Sequence, residues 1–320
     1  MKMMKKAMTN GNVNPWEPMN FGSIRRINSE LPHDVFWIRD QEGHYGFYLQ
    51  STEKFPEAKS DIDLKGVSLI KRNTVDIGEL YLILKRHSDW ELFLSVCDDI
   101  LSVCVLHQTN KKMIEAVEVR LRRWQIFLTQ NNDLVMSAEL QMGLISELLL
   151  LKKLIPSYGA KESILAWTGP DKDKQDFNFP KTMIEVKSYR TSKGAKVTIS
   201  STHQLLSESK PLYLVSFGLT LSENGVSIKN LLSEFYTLLY EESTATQQLF
   251  ENKITNYGYM PGMNDEALLN FTVDSMRTFE VSANFPRLLP HQVPAEIVKL
   301  NYSIDLELCK TFERSYETIL

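Results

Sequence analysis

The chain has 320 residues, enough for one large domain or two of ordinary size. Its 43% hydrophobic and 24% charged residues are those of a soluble globular protein, and no apolar run approaches the length of a membrane span, so no transmembrane helix is expected. A formal net charge of −4 gives no support to a protein that coats nucleic acid by bulk charge, but leaves room for an enzyme that grips it in a local positive cleft.

Residues 1–15 read as a flexible start. The basic opening Met1-Lys2-Met3-Met4-Lys5-Lys6 is followed by polar residues, so no secretion signal is expected. Residues 34–50 alternate apolar and polar around Gln41-Glu42-Gly43 and predict a β-hairpin. Its aromatic residues, Phe36, Trp37, Tyr45, Phe47 and Tyr48, read as core rather than as a platform for stacked bases. Further strands are expected at 67–70, 79–85 and 91–96. They make residues 16–130 a largely antiparallel β domain that closes on a helix from about Lys111 to Gln130.

Cys97, Cys104 and Cys309 are odd in number and form no C-x-x-C pair. They point away from a disulfide framework and from a thiolate zinc site, and toward a reducing cytoplasm. The six histidines are scattered without zinc-ligand spacing, and no phosphate-binding glycine loop occurs.

Asn131-Asn132-Asp133 is a turn signal that opens a second domain, 131–320. A helix should run over 135–155 and stop before Pro156 and Gly159, with a buried stripe on Leu140, Leu144, Leu148, Leu151 and Ile155. Glu147 lies on or beside that stripe, where an unpaired carboxylate would be costly, so it either takes a metal or the Lys187 ammonium as partner or reaches water at the stripe edge. After a short polar stretch come a strand near 197–200 and a helix starting near Ser201. A strand at 212–219 follows, then helices at 229–240 and 244–251, and strand-like runs at 271–282 and 297–308. The order is that of an α+β or α/β sandwich.

The chemistry concentrates between Trp167 and Lys187. In a strand over 182–189, Met183, Glu185, Lys187 and Tyr189 share one face. Phe177 and Phe179 alternate with Asp176 opposite them, so a hairpin through Pro180 would bring Asp176 beside Glu185 and Lys187. Two carboxylates can hold Mg²⁺ through oxygen, and a neighbouring lysine can orient or deprotonate water and stabilise negative charge on a phosphate. E-x-K alone is weak: Glu57-Ala58-Lys59 and Glu251-Asn252-Lys253 have it too, without flanking strands. Asp171 and Asp173 compete with Asp176, which is favoured because only it is followed by an alternating strand. The basic stretches Arg120–Arg123 and Lys187–Lys196 are candidate nucleic-acid contacts.

Gly143-Leu144-Ile145-Ser146-Glu147-Leu148, Trp167-Thr168-Gly169-Pro170, Asp176-Phe177 and Glu185-Val186-Lys187-Ser188 together resemble the PD-(D/E)XK nuclease superfamily. More narrowly, they resemble a bacterial family of PD-(D/E)XK-motif proteins of unassigned function. The resemblance implies a restriction-endonuclease-like α/β core and Mg²⁺-dependent DNA cleavage, with Mn²⁺ as a substitute. It also implies a role in restriction or phage defence. Asp176, Glu185 and Glu147 would be metal ligands, Lys187 the catalytic lysine, and Gln204 a further site residue at the next helix start. Candidate partners are DNA, a helicase, ATPase or methyltransferase subunit, and a second copy of the chain. The alternative is a catalytically silent nuclease-fold subunit that binds DNA or a partner protein. The sequence departs from the superfamily at Gln175, where a proline would precede the aspartate.

Overall fold

In the computed structural model, which describes residues 13–56, 62–130, 135–261 and 265–320, the chain divides into two units, 1–132 and 133–320. The expected flexible start up to residue 12 and the expected turn at 131–133 lie outside the described residues.

The first unit contains β1 (Ser23–Arg26), β2 (Asp34–Arg39), β3 (Tyr45–Ser51), β4 (Val67–Asn73) and β5 (Gly78–Leu84), then α1 (Trp90–Leu106) and α2 (Asn110–Gln130). The strands form one antiparallel sheet in the order β1-β2-β3-β5-β4. Period-two alternation sends Val35, Trp37, Phe47, Leu49, Leu80 and Leu82 into the core. On the other face Phe36, Tyr48 and Tyr81 stack on one another across three strands, with centroids 5.3 and 4.6 Å apart.

The strand expected at 91–96 is instead the start of α1. Its buried residues Phe93, Leu94, Val96, Cys97, Ile100, Leu101 and Cys104 recur at three- and four-residue intervals, the period of a helix. Cys97 and Cys104 sit two turns apart in this face as free thiols, and burial drives both thiol pKa values up, that of Cys104 to about 12.

The second unit contains α3 (Ala138–Tyr158), α4 (Ala160–Ala166), β6 (Phe177–Asn178), β7 (Met183–Arg190), β8 (Lys196–Ile199) and β9 (Leu212–Val226). They are followed by α5 (Ile228–Leu238), α6 (Thr244–Tyr257), β10 (Phe271–Glu280), β11 (Tyr302–Asp305) and β12 (Glu313–Arg314). A mixed sheet runs β12-β10-β9-β7-β6, with β7 and β9 parallel and the other pairs antiparallel; β11 and β8 form a separate ribbon. Both faces of the mixed sheet are covered. Ile184, Val186, Val215 and Phe217 pack with Leu144, Leu148 and Leu151 of α3, while Tyr189, Leu214 and Phe279 pack with Val197, Ile199 and Ile304.

Ser137 caps α3 by accepting the Leu140 N–H at 3.2 Å. The helix does not stop before Pro156 but runs through it to Tyr158. Proline in the last turn forfeits one backbone hydrogen bond, and burial of Leu144, Leu148, Leu151 and Leu154 outweighs that loss. Leu140, expected in the buried stripe, is 51% exposed. The polar stretch after α3 is helical too, as α4, which buries Ile164 and Ala166. No helix starts at Ser201. Residues 201–206 form turns closed by Gln204 N–H to Ser201 O and Leu206 N–H to His203 O. Of the run 297–308 only Tyr302–Asp305 is extended, and Leu306–Phe312 coils as a 3-10 helix. Among the described residues no helix is long and apolar enough to cross a membrane.

Candidate active site

The β6–β7 hairpin pairs Phe177 with Ile184 and Asn178 with Met183. One residue before β6, Asp176 supplies its side chain where another strand residue would supply its carbonyl: Oδ2 accepts the Val186 N–H at 2.7 Å. This fixes Asp176 against the strand segment that carries Glu185 and Lys187. Lys187 Nζ lies 2.6 Å from Glu185 Oε1 as an ion pair. Glu185 is fully buried, and neither of its carboxylate oxygens has a hydrogen bond of good geometry among the described residues.

Glu147 enters from α3, 5% exposed. Its partners are two neutral donors rather than Lys187: Trp167 Nε1–H to Oε2 at 2.7 Å and Tyr257 O–H to Oε1 at 2.9 Å. Gly169 makes the convergence of carboxylates possible. The point its Cβ would occupy lies only 2.5 Å from Glu147 Oε2 and 2.9 Å from Asp176 Oδ1. Any side chain there would fill the space between the two acids.

The electrostatics follow from putting three acids and one ammonium out of water. Burial pushes the Glu147 and Glu185 pKa values well up, and the Asp176 carboxylate beside each adds to it. Burial also raises Asp176, against the opposing pull of Lys187 and the Val186 N–H. For Lys187, burial alone would lower the pKa, but Glu185 and Asp176 together reverse it and hold the ammonium charged.

Glu147, Asp176, Lys187, Gly169 and Tyr257 line a cleft of about 700 Å³. Lys172, Arg190, Lys193 and Lys196 line it as well, so basic side chains border the acidic centre. Arg190 faces Glu139 at 3.6 Å. In the other basic stretch Arg123 is buried and Arg120 lies 3.4 Å from Asp99, while Arg122 is exposed.

The competing aspartates have other duties. Asp171 Oδ2 is paired with Lys253 Nζ at 2.5 Å, and Asp173 accepts the N–H of Lys174. Gln204 Oε1 accepts the Ser200 N–H at 2.9 Å and so ties the end of β8 to the following turn. Gln175, the residue at the departure from proline, is buried and its Nε2 donates toward the backbone oxygens of His203, Gln204 and Leu206 at 2.8, 3.3 and 3.1 Å. It anchors the 201–206 turn next to Asp176, a role with no local sequence signal.

Tyr257 and Lys253 carry no local signal either. Lys253 belongs to one of the two E-x-K triplets without flanking strands, yet its buried ammonium binds Trp167 O and Asp171 and holds the Trp167-Thr168-Gly169-Pro170 segment on α6.

Among the described residues no three His, Cys, Asp or Glu side chains are set around one point so as to hold a metal ion by themselves. No curated protein and no solved structure matches the chain. The profile of the family described as "Putative PD-(D/E)XK family member, (DUF4420)" matches residues 12–307, nearly the whole length. The chain belongs to that family.

Proposed function

We propose that the chain is a Mg²⁺-dependent DNA endonuclease that hydrolyses phosphodiester bonds. The observation that carries this reading is the meeting of Asp176, Glu185, Lys187 and Glu147 beneath a cleft bordered by Lys172, Arg190, Lys193 and Lys196. An ion-pair cluster that served stability alone would have no need of so many acids. Three buried carboxylates facing one ammonium cannot all be ionised cheaply in a low dielectric, so protons or a bound cation must share their negative charge, and the raised carboxylate pKa values express that demand.

The residues fit a hard divalent cation. All donors are oxygen, Glu185 Oε2 has no hydrogen-bond partner among the described residues and Oε1 faces only the Lys187 ammonium there, and Glu147 and Asp176 converge beside the bare Gly169. Mg²⁺ keeps several waters and needs only one or two protein carboxylates, so a complete protein cage is not required. Asp176 and Glu185 would hold it, with Glu147 in support. When bound, Mg²⁺ supplies positive charge against the scissile phosphate and acidity for the attacking water.

Lys187 is set to work as a charged donor. With its ammonium stabilised by Glu185 and Asp176, it directs N–H groups at a phosphate oxygen and stabilises the negative charge that develops there. The basic border positions the sugar-phosphate backbone over the acids. A restriction-endonuclease-like core, a role in restriction or phage defence, Mn²⁺ as substitute, and a helicase, ATPase or methyltransferase partner rest on the motif resemblance alone.

A plasmid-nicking assay with Mg²⁺ and with EDTA tests the reading on the wild type, Asp176→Ala and Lys187→Ala. Nicking by the wild type that needs Mg²⁺ and is lost in both variants is expected. Cleavage that survives both substitutions overturns the site, and DNA binding without any cleavage favours the silent-subunit alternative.

A further inference from the structure

We infer that Tyr257 is a positioning residue for the cation-binding acid Glu147, and that Gly143 exists in α3 to let its hydroxyl through. The inference deepens the nuclease reading and rests on it.

Tyr257 stands at the end of α6, 110 residues from Glu147, and its O–H reaches Glu147 Oε1 at 2.9 Å. Gly143 and Glu147 are four residues apart on α3 and therefore on one face of the helix. A Cβ at Gly143 would lie 2.7 Å from the Tyr257 oxygen, closer than carbon and oxygen can approach. Glycine inside a helix costs about 0.5–1 kcal/mol relative to alanine, so its use in the middle of a buried helix calls for a reason. Passage of the tyrosine is that reason.

Tyr257 does not act in isolation. Lys253, Asn256 and Tyr257 lie on one face of α6, and the first two hold Asp171 and the Trp167 carbonyl. Trp167 in turn donates to the second oxygen of Glu147. Glu147 is thus gripped at both oxygens, and both grips are anchored on α6, directly through Tyr257 or through the Trp167 segment. By contrast, among the described residues Glu185 is met by the Lys187 ammonium and by no neutral donor, and the Val186 N–H binds one oxygen of Asp176, Oδ2. Each Glu147 oxygen retains a lone pair after accepting one hydrogen bond, so the grip orients the carboxylate without consuming it. This is the relation by which outer partners aim a metal-binding carboxylate.

Mn²⁺ binding to the full chain, followed by electron paramagnetic resonance, tests the inference on wild type, Tyr257→Phe, Gly143→Ala and Glu147→Gln. Tyr257→Phe keeps the ring and removes only the oxygen. Gly143→Ala raises helix propensity and displaces the hydroxyl without touching Tyr257, so it remains informative should Tyr257→Phe fold poorly. Both should weaken Mn²⁺ binding by about tenfold, the usual size for loss of such a partner, in the same direction as Glu147→Gln. Wild-type affinity within about twofold in both variants, with Glu147→Gln impaired, overturns the inference and leaves the nuclease reading intact. A wild type that neither binds Mn²⁺ nor nicks DNA overturns both.

Discussion

The carboxylate of Asp176 holds the backbone N–H of Val186 at 2.7 Å, and Val186 is the residue between Glu185 and Lys187. One hydrogen bond therefore sets the position of three charged groups. Asp176→Asn retains an oxygen able to accept that N–H but loses the charge, whereas Asp176→Ala loses both. Nicking should fall about 10²–10³-fold in each, the scale of removing one preorganised polar group at a reaction centre. Chemical denaturation should separate them: the alanine variant leaves the N–H unsatisfied and should be less stable than the asparagine variant by about 1–3 kcal/mol. Equal stability of the two would show that this hydrogen bond does not hold the strand.

Stability without divalent cation should decline with rising pH. Burial, reinforced at Glu147 and Glu185 by Asp176, raises the folded-state pKa values above the ordinary 4.5 for glutamate and 3.8 for aspartate. Groups shifted this way contribute stability that is fully present below the unfolded-chain values and is lost as pH climbs through the raised folded-state values. In EDTA the melting temperature of the wild type should therefore drop as pH rises above the ordinary carboxylate values, and drop less in Glu147→Gln. Parallel pH profiles for the two proteins would contradict this.

Gln175→Ala removes a buried amide aimed at the three backbone oxygens of His203, Gln204 and Leu206. Urea unfolding should show a loss of about 1–3 kcal/mol. Gln175→Glu, which keeps the length of the side chain and replaces its donors with acceptors, should be at least as damaging. Retained stability in both would remove the clamp.

Replacing Lys172, Arg190, Lys193 and Lys196 by alanine should weaken DNA binding and flatten its salt dependence by about 0.9 in log–log slope for each phosphate that is no longer neutralised. Fluorescence anisotropy across a salt series measures this. Substitution of Arg120, which pairs with Asp99, serves as a comparison and should leave the slope unchanged.

Short-range signals read well in this sequence and long-range ones do not. The hairpin at 34–50 shows in its alternation, and β6–β7 in Phe177, Phe179, Ile184 and Val186, because period two is a local property. Residues 91–96 mislead because a brief apolar run fits a strand or a buried helix equally, and only the continuation to Cys104 shows the helical period. Spacing places Leu140 in the core, yet it lies at the cleft in the first turn of α3 and is half exposed. Asp176, Glu185 and Lys187 lie within twelve residues, so their neighbourhood is visible as a motif. Tyr257, Lys253 and Gln175 reach partners 28 to 110 residues away, a relation that no periodicity encodes.

Gly169 also offers a practical handle. A methyl group at that position would fall 2.5 Å from Glu147 Oε2 and 2.9 Å from Asp176 Oδ1 and so push the two acids apart, while deleting no ionisable group of the protein. Gly169→Ala is thus the natural route to an inert twin, one suited to capturing an uncut DNA complex without removing any of the charges that draw the DNA in.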